Sequence, residues 1–400
     1  MTAERTCPTP EPFRDKIGII FFLAVLFFLC FSGRVIFAPL MAAIERELAL
    51  NHAQAGSLFL WISVGVFMAQ ILSGVVSSRL NHWGALVISA LMVGLALLPF
   101  GLTRSLGTIH VLVVILGLAT GLHTPSAIAT ITASVSRNDW GKALGVHQAA
   151  PSMALVFAPL LAVALSSFLS WQNILSSLGG VALVTGVLFV FFGKCGTFPG
   201  EAPNPAAVKS IVIQPSFWIM AALFSMAMAG SSGIYTMLPL YLVSERGFGV
   251  DRANFLVGLS RVSGLFTAFF GGWIADLVGE KQALAGALFL SGLGTILLGV
   301  LPNSGLVIML FLQPALAACF FPAAFSALSR IVPPHLRSLT SSLSTPLAGF
   351  IGTGVVPAFV GHMGETRTFA LGIVIVGCCM TIMPVSAFFL KLRDKTEEGC

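Results

Sequence analysis

Charge is what this 400-residue sequence has least of. Asp, Glu, Lys and Arg together make up 9% of it, against about 25% in ordinary soluble domains. With 56% hydrophobic residues and a mean hydropathy of +0.96, that scarcity excludes both a soluble globular domain and a disordered chain. Acids are scarcer than bases. The 15 Asp and Glu residues fall in loops or at the ends of apolar runs, so no carboxylate is expected at mid-membrane depth. That absence argues against a carrier of cationic drugs and removes the conventional membrane proton acceptor.

Other absences narrow the chemistry further. There is no G-x-x-x-x-G-K-[ST] loop, so no ATP-driven mechanism is indicated, and no paired Cys/His spacing for a metal. No cofactor is expected. A hydrolase or acyltransferase would need a nucleophile, base and acid held together, and the apolar runs contain no acid. The seven cysteines suggest no disulfide framework: Cys30, Cys319, Cys378 and Cys379 lie in apolar runs, and Cys7, Cys195 and Cys400 in segments assigned to the cytoplasm. The net charge of +6 is read through loop position rather than as a nucleic-acid signal.

What is there is length of apolar chain. A bilayer core needs roughly 20 apolar residues per helical crossing, and twelve runs qualify, near 17–42, 53–78, 84–103, 108–133, 141–169, 171–192, 215–243, 253–275, 282–301, 304–330, 337–361 and 366–390. The first follows a polar N-terminus and is too long for a signal-peptide core of about 7–15 residues, so it is read as an uncleaved span. Residues 193–214, with Pro199, Pro203 and Pro205, form the one stretch suited to a linker. The expected organisation is therefore a six-helix bundle over 1–193, a cytoplasmic linker over 194–214 and a second bundle over 215–400. Of the 21 Lys and Arg residues, only Arg46, Arg104, Arg246, Arg252 and Arg367 fall on the outer side of this arrangement. The positive-inside rule then places both termini in the cytoplasm, in what is expected to be a bacterial inner membrane.

The halves repeat. Pro39-Leu40 near the end of the first run matches Pro239-Leu240 near the end of the seventh, and Gln54 matches Asn254. After the second and eighth runs, GVVSSRLNHWG from Gly74 parallels GWIADLVGEK from Gly272. A duplicated six-helix unit is the economical reading.

The second of those loops, with Gly272, Asp276, Gly279 and Lys281, resembles the G-x-x-x-D-[RK]-x-G-[RK]-[RK] loop of the major facilitator superfamily. Leu277 and Glu280 depart from it, and in the first copy Ser78 stands at the acidic position with only Arg79 basic. Gly117 to Pro125 and Gly141 to Pro151 add to the match, which covers nearly the whole chain. The resemblance implies an all-α membrane protein of twelve helices in two pseudo-symmetric bundles rocking around a midplane cavity, a secondary transporter and not an enzyme. It implies a cytoplasmic gate at Arg79, Gly272, Asp276 and Gly279. Cation-exporter members carry Gly-Pro in the fifth span where this chain has Ala158-Pro159.

Two cations lie within spans. Arg34 in the first and Arg261 in the eighth each sit about eight residues from the outer end, or about 12 Å deep. A guanidinium at such depth costs about 2.5–3.5 kcal/mol on insertion scales and usually faces a cavity. Arg34 has a bland alternative, capping carbonyls freed near Pro39, as Arg261 has in pairing with carbonyls. In organic-anion carriers of the resembled family an arginine on the first span is common, and carriers of monocarboxylates and oxalate have one on the eighth. The expected cargo is therefore a small organic anion, a mono- or dicarboxylate, held by Arg34 and Arg261, with Tyr235 donating a hydroxyl and Gln313 as a further cavity candidate.

His123 and His147 are the titratable pair at depth, each about 8–9 Å from the inner surface by helical rise. They are candidates for proton coupling, which makes proton symport one mechanism and anion exchange the other; neutral rings bonded to neighbouring groups are the bland alternative. Within transport, the rival is an exporter of hydrophobic or amphipathic compounds, suggested by Phe27, Phe28, Phe31, Phe320 and Phe321. Outside it, the rival is a non-transporting sensor or assembly partner. Expected partners are the anion, protons and the lipid bilayer, without nucleic acid, and the chain is expected to be monomeric.

Overall fold

In a computed structural model of the protein, residues 12–193, 195–202 and 204–392 are described. Cys7, Lys194, Pro203 and Cys400 lie outside the described residues. Among the described residues, ten helices are long and apolar enough to cross a membrane. Two further observations bring the count to the twelve expected. The span His52–Gly101 covers 50 residues, enough for two crossings, and α3 (His52–Leu97) within it is broken at Asn81, where φ is 57° and ψ 174°. Val250–Val278 supplies the other, a 29-residue helix.

Local chemistry sets the breaks. At Asn81 the left-handed φ is one that asparagine tolerates, and Asn81 Oδ1 accepts from the Gly84 N–H at 2.8 Å, capping the second half of the helix. In the first span, α1 (Phe13–Val35) and α2 (Phe37–Leu48) are separated at Ile36. Pro39 explains that interruption, because a proline has no N–H and its ring crowds the carbonyl one turn earlier, here that of Val35. Arg34 thus stands in the last turn before the break.

The remaining helices are α4 (Leu106–Ser134), α5 (Trp140–Ser166) and α6 (Trp171–Phe192), a short α7 (Pro205–Val212) in the linker, then α8 (Pro215–Met228) and α9 (Ile234–Ser244). They continue with α10 (Val250–Val278), α11 (Glu280–Val300), α12 (Asn303–Ala318), α13 (Phe320–Arg330), α14 (Arg337–Phe350), α15 (Val356–Thr366) and α16 (Phe369–Ile382). A π turn over Ala229–Gly233 joins α8 to α9 and another over Ile351–Val355 joins α14 to α15. These turns meet each other. A Cβ on Gly233 would lie 1.9 Å from the Gly352 carbonyl oxygen, so only glycine permits this approach of backbones.

The chain forms two compact units. One holds the residues up to Phe37 and those from Val64 into the linker; the other holds Ala38–Ser63 and the residues from Asn204 onward. The core of the first is built on Ile20 and Leu23 of α1, Leu86 and Ala90 of α3, Ile131 of α4 and Phe189 of α6. In the second, the segment Ala38–Ser63 is tied in by specific bonds. Asn254 Nδ2 donates to the Pro39 carbonyl at 3.0 Å, the His52 N–H donates to Glu365 at 3.0 Å, and the Ser63 and Thr353 hydroxyls lie 3.3 Å apart.

The first part of the linker is docked rather than free. Gly200 N–H donates to the Ser77 carbonyl, and Trp83 and His82 N–H donate to the carbonyls of Gly196 and Phe198, over 2.8–3.3 Å. Gly196 adopts φ +68°, which glycine allows without strain. Cys195, next to this strap, is partly buried, and burial pushes its thiol up to about 12.

Candidate functional site

Arg34 and Arg261 have the same kind of surroundings, each in its own unit. The guanidinium carbon of Arg34 lies 5.2 Å from the centroid of Phe31, one helical turn back on α1. That of Arg261, on α10, lies 4.4 Å from the centroid of Tyr235 on α9. Both side chains are partly buried, and each has a buried nitrogen with no hydrogen-bond partner, Nε in Arg34 and Nη1 in Arg261. Neither forms an ion pair among the described residues. A ring face steadies a cation by about 0.5–2 kcal/mol. Such a contact does not use the N–H donors of the fork.

Tyr235 contributes its ring to this arrangement. Its hydroxyl donates to the Leu310 carbonyl at 3.2 Å, so the phenol is anchored to α12. Gln313 is fully buried. Its Nε2 contacts the Gly230 carbonyl and the Ser291 and Thr295 hydroxyls, each at 3.1 Å, joining α12 to α11 and to the π turn before α9. Its Oε1 is buried without a partner.

The structure brings His123 and His147 together. Both are fully buried, and their Nε2 atoms lie 3.4 Å apart. The Phe27 ring of α1 stacks on both imidazoles, at 4.6 Å from His147 and 5.1 Å from His123.

On the loop resembling the family motif, Asp276 and Arg79 are exposed. Gly279 has φ +90° and ψ 153°, a conformation that belongs to glycine. Gly272, Asp276 and Gly279 border a cavity of about 310 Å³ together with Glu280, Ser326 and Arg330. The acid that is paired there is the residue departing from the motif. Glu280 Oε2 lies 2.5 Å from Arg330 Nη1, and Ser326 Oγ donates to Glu280 Oε1 at 2.7 Å. Sequence reasoning missed this pair because Arg330 lies 50 residues away; the signal was an acid standing where the motif has a base.

Known proteins agree with this architecture. The sequence signature of the Major Facilitator Superfamily matches residues 23–357 and 249–399. The probable sulfoacetate transporter SauU of Cupriavidus necator is 22% identical over 403 residues, covering 92% of each chain. The D-galactonate transporter of Escherichia coli O6:H1 is 22% identical over 432 residues, covering 97% of this chain and 98% of its own. Among solved structures, a bacterial homolog to the human lysosomal transporter Spinster superposes with a TM-score of 0.81 at 15% identity, over 96% of this chain and 97% of that one. That likeness speaks for the fold alone. The chain therefore belongs to the Major Facilitator Superfamily, as an integral membrane transporter and not an enzyme.

Proposed function

We propose that the protein moves a small organic anion, a mono- or dicarboxylate, across a bacterial inner membrane by alternating access. The observation that carries this reading is the state of the two in-span arginines. Each is partly buried on an aromatic face, each has a buried N–H without an acceptor, and neither has an acid partner among the described residues. An unpaired ion taken out of water is costly, and an arriving carboxylate offsets that cost through charge-assisted hydrogen bonds. The names of the two relatives fit: sulfoacetate and galactonate are both organic anions.

In this reading Arg34 and Arg261 bind substrate, the Tyr235 ring steadies Arg261, and Gln313 fastens the helices around it. The loop at Gly272, Asp276 and Gly279, with Arg79 in the first copy, serves as the cytoplasmic gate, and Glu280 with Arg330 anchors its second copy. Both termini lie in the cytoplasm and the working unit is one chain. His123 and His147 are the groups through which proton symport would be distinguished from anion exchange.

The test is uptake of labelled carboxylates by the purified protein in liposomes, with and without a pH gradient. Saturable uptake that is lost in Arg34→Ala and Arg261→Ala supports the reading. Undiminished uptake in the double variant removes the binding role. Efflux of a cationic dye instead would identify a drug exporter, and carboxylate binding without flux a sensor.

A further inference from the structure

The His123–His147 contact is more ordered than two histidines that happen to touch. The ring planes are within 9° of parallel and the centroids are 5.6 Å apart, while the facing Nε2 atoms are 3.4 Å apart. The centroids exceed the nitrogens in separation by the combined radii of the rings, so the imidazoles lie end to end, nearly in one plane. Phe27 covers both, inclined 13° to one and 19° to the other, so its face lies across the junction between the two nitrogens. Both Nδ1 atoms are buried and neither makes a hydrogen bond of good geometry; the Leu23 backbone lies beside His123 and the Gln148 side chain beside His147.

This geometry limits what the pair can hold. With both rings neutral, one Nε2–H donates to the other Nε2. A single added proton, taken from water, enters at the bare Nδ1 of the donor ring and leaves that hydrogen bond intact. The charge then lies under the negative face of Phe27. A second proton has to displace the hydrogen bond at the accepting Nε2 and place two like charges side by side in a dry site. The two histidines therefore titrate as one group.

The same stripe of α1 connects this pair to the anion site. Phe31 stands edge-on to Phe27 at 6.2 Å, and the Arg34 guanidinium lies over Phe31. Phe27 and Arg34 are seven residues apart, about 10 Å along the helix. The other titratable or charged side chains on the elements packed around the pair are few. On α1 they are Cys30, 3.8 Å from the Ser89 hydroxyl, and Arg14, Asp15 and Lys16 at its start. On α4 there is His110 near its start, and on α5 Lys142, which is paired with Asp139 at 2.9 Å.

We infer that His123 and His147, lidded by Phe27, are a single-proton coupling site, and that Phe27 is the positioning residue that holds the two imidazoles in line. The inference rests on the anion reading for its direction. A cation on the pair and the cation of Arg34 repel, so an anion bound at Arg34 raises the proton affinity of the pair, and by linkage the proton raises the affinity for the anion. That sign favours carrying both in the same direction, one proton per anion, rather than anion exchange.

The test needs no known substrate for its first arm. In the full chain, in detergent or nanodiscs, ¹⁵N-histidine NMR with assignments from His123→Gln and His147→Gln follows both imidazoles against pH. The expected result is one shared midpoint, one proton taken up in total and a direct N–H···N coupling between the Nε2 atoms. Two independent midpoints, or two protons, overturn the inference. Phe27→Leu is expected to separate the titrations while the thermal midpoint holds, and the conservative Phe27→Tyr to keep them joined; joined titrations in Phe27→Leu remove Phe27 from the site. The second arm is liposome uptake of labelled sulfoacetate and galactonate. Where uptake occurs, stimulation by a pH gradient is expected to fall at least tenfold in His147→Gln, while anion counterflow stays within about threefold; undiminished stimulation overturns the coupling role. Arg34→Ala leaves the NMR signature in place, so undiminished uptake in that variant refutes the anion reading alone, and independent midpoints in the parent protein refute the one-proton site alone.

Discussion

The two units bury different polar groups in their interiors. In the first, His123 and His147, side chains of a titratable type, face each other under Phe27. In the second, Gln313 gathers the Gly230 carbonyl and the Ser291 and Thr295 hydroxyls, and none of these titrates near neutrality. The cations follow another pattern: Arg34 on Phe31 and Arg261 on Tyr235 have like environments. Among the described residues, the duplicated unit thus sets a guanidinium on an aromatic ring in both copies and an imidazole pair in one. A neutral amide knot fixes helices; in the proposal above, an imidazole pair adds a state that can be filled and emptied.

The same contrast holds for the two copies of the motif loop. In the second, an ion pair between Glu280 and Arg330 holds the loop, with both side chains largely buried. In the first, Ser78 turns back onto the Val75 carbonyl at 2.8 Å, and the strap of the linker supplies order through backbone bonds to residues 77–83. Main-chain pairing orders the first copy where an ion pair orders the second.

Breaking the likeness of the arginines should have the largest effect. A hydrogen bond to a charged group contributes about 1.5–3 kcal/mol. Arg34→Ala and Arg261→Ala should therefore each lower carboxylate uptake by roughly 10–100-fold, and Arg→Lys should recover only part of it because the planar fork is lost. Saturation kinetics in liposomes check this, and a large effect at one arginine with none at the other would break the comparison.

The contrast between amide and imidazole is sharpened by Gln313→Leu. Removing the amide leaves buried acceptors unpaired, at about 1–3 kcal/mol for each group fully deprived, so the thermal midpoint should fall. The shape of the pH–uptake profile should not change, whereas His147→Gln should flatten it. A flattened profile in Gln313→Leu would place the amide in the coupling path.

For the loops, Glu280→Gln is expected to destabilise the protein by more than the ~0–1 kcal/mol of an exposed pair and by less than the ~3–5 kcal/mol of a fully buried one. Asp276→Asn, at an exposed position, should change stability less. Chemical denaturation in matched detergent compares the two, and the reverse order would return the latch to the motif's own acid.

The smallest effect concerns the strap. With the Cys195 thiol pushed up to about 12 by burial, its thiolate is scarce at neutral pH. Alkylation of Cys195 should keep rising with pH by about tenfold per unit between pH 7 and 9, without the plateau near 8.5 of a free thiol. A plateau there would mean that the strap leaves the loop in solution.

Much of the fold was legible because a membrane span is written in length and apolarity. The run at 171–192 coincides with α6, and the linker region was marked by its prolines. What was not legible depends on distant partners. The π turns at Ala229–Gly233 and Ile351–Val355 exist because Gly233 and Gly352 meet across 119 positions of sequence. The grouping of Ala38–Ser63 with the second unit rests on bonds such as that from Asn254 to Pro39, which hydropathy does not report. At the site, helical rise put His123 and His147 at one depth, and their end-to-end alignment depends on how α4 and α5 pack. The expectation that Tyr235 offers its hydroxyl meets a structure in which that hydroxyl is bonded to Leu310 and the ring faces Arg261.

The central claim is that two guanidinium groups without resident acids recognise a carboxylate. The most direct measurement is the thermal midpoint of the purified protein titrated with carboxylates and with their uncharged primary amides, since a bound ligand raises apparent stability. The account predicts that some carboxylates raise the midpoint, that their amides do not, and that the carboxylate shift disappears when Arg34 and Arg261 are both alanine. A carboxylate shift of full size in that double variant would contradict it.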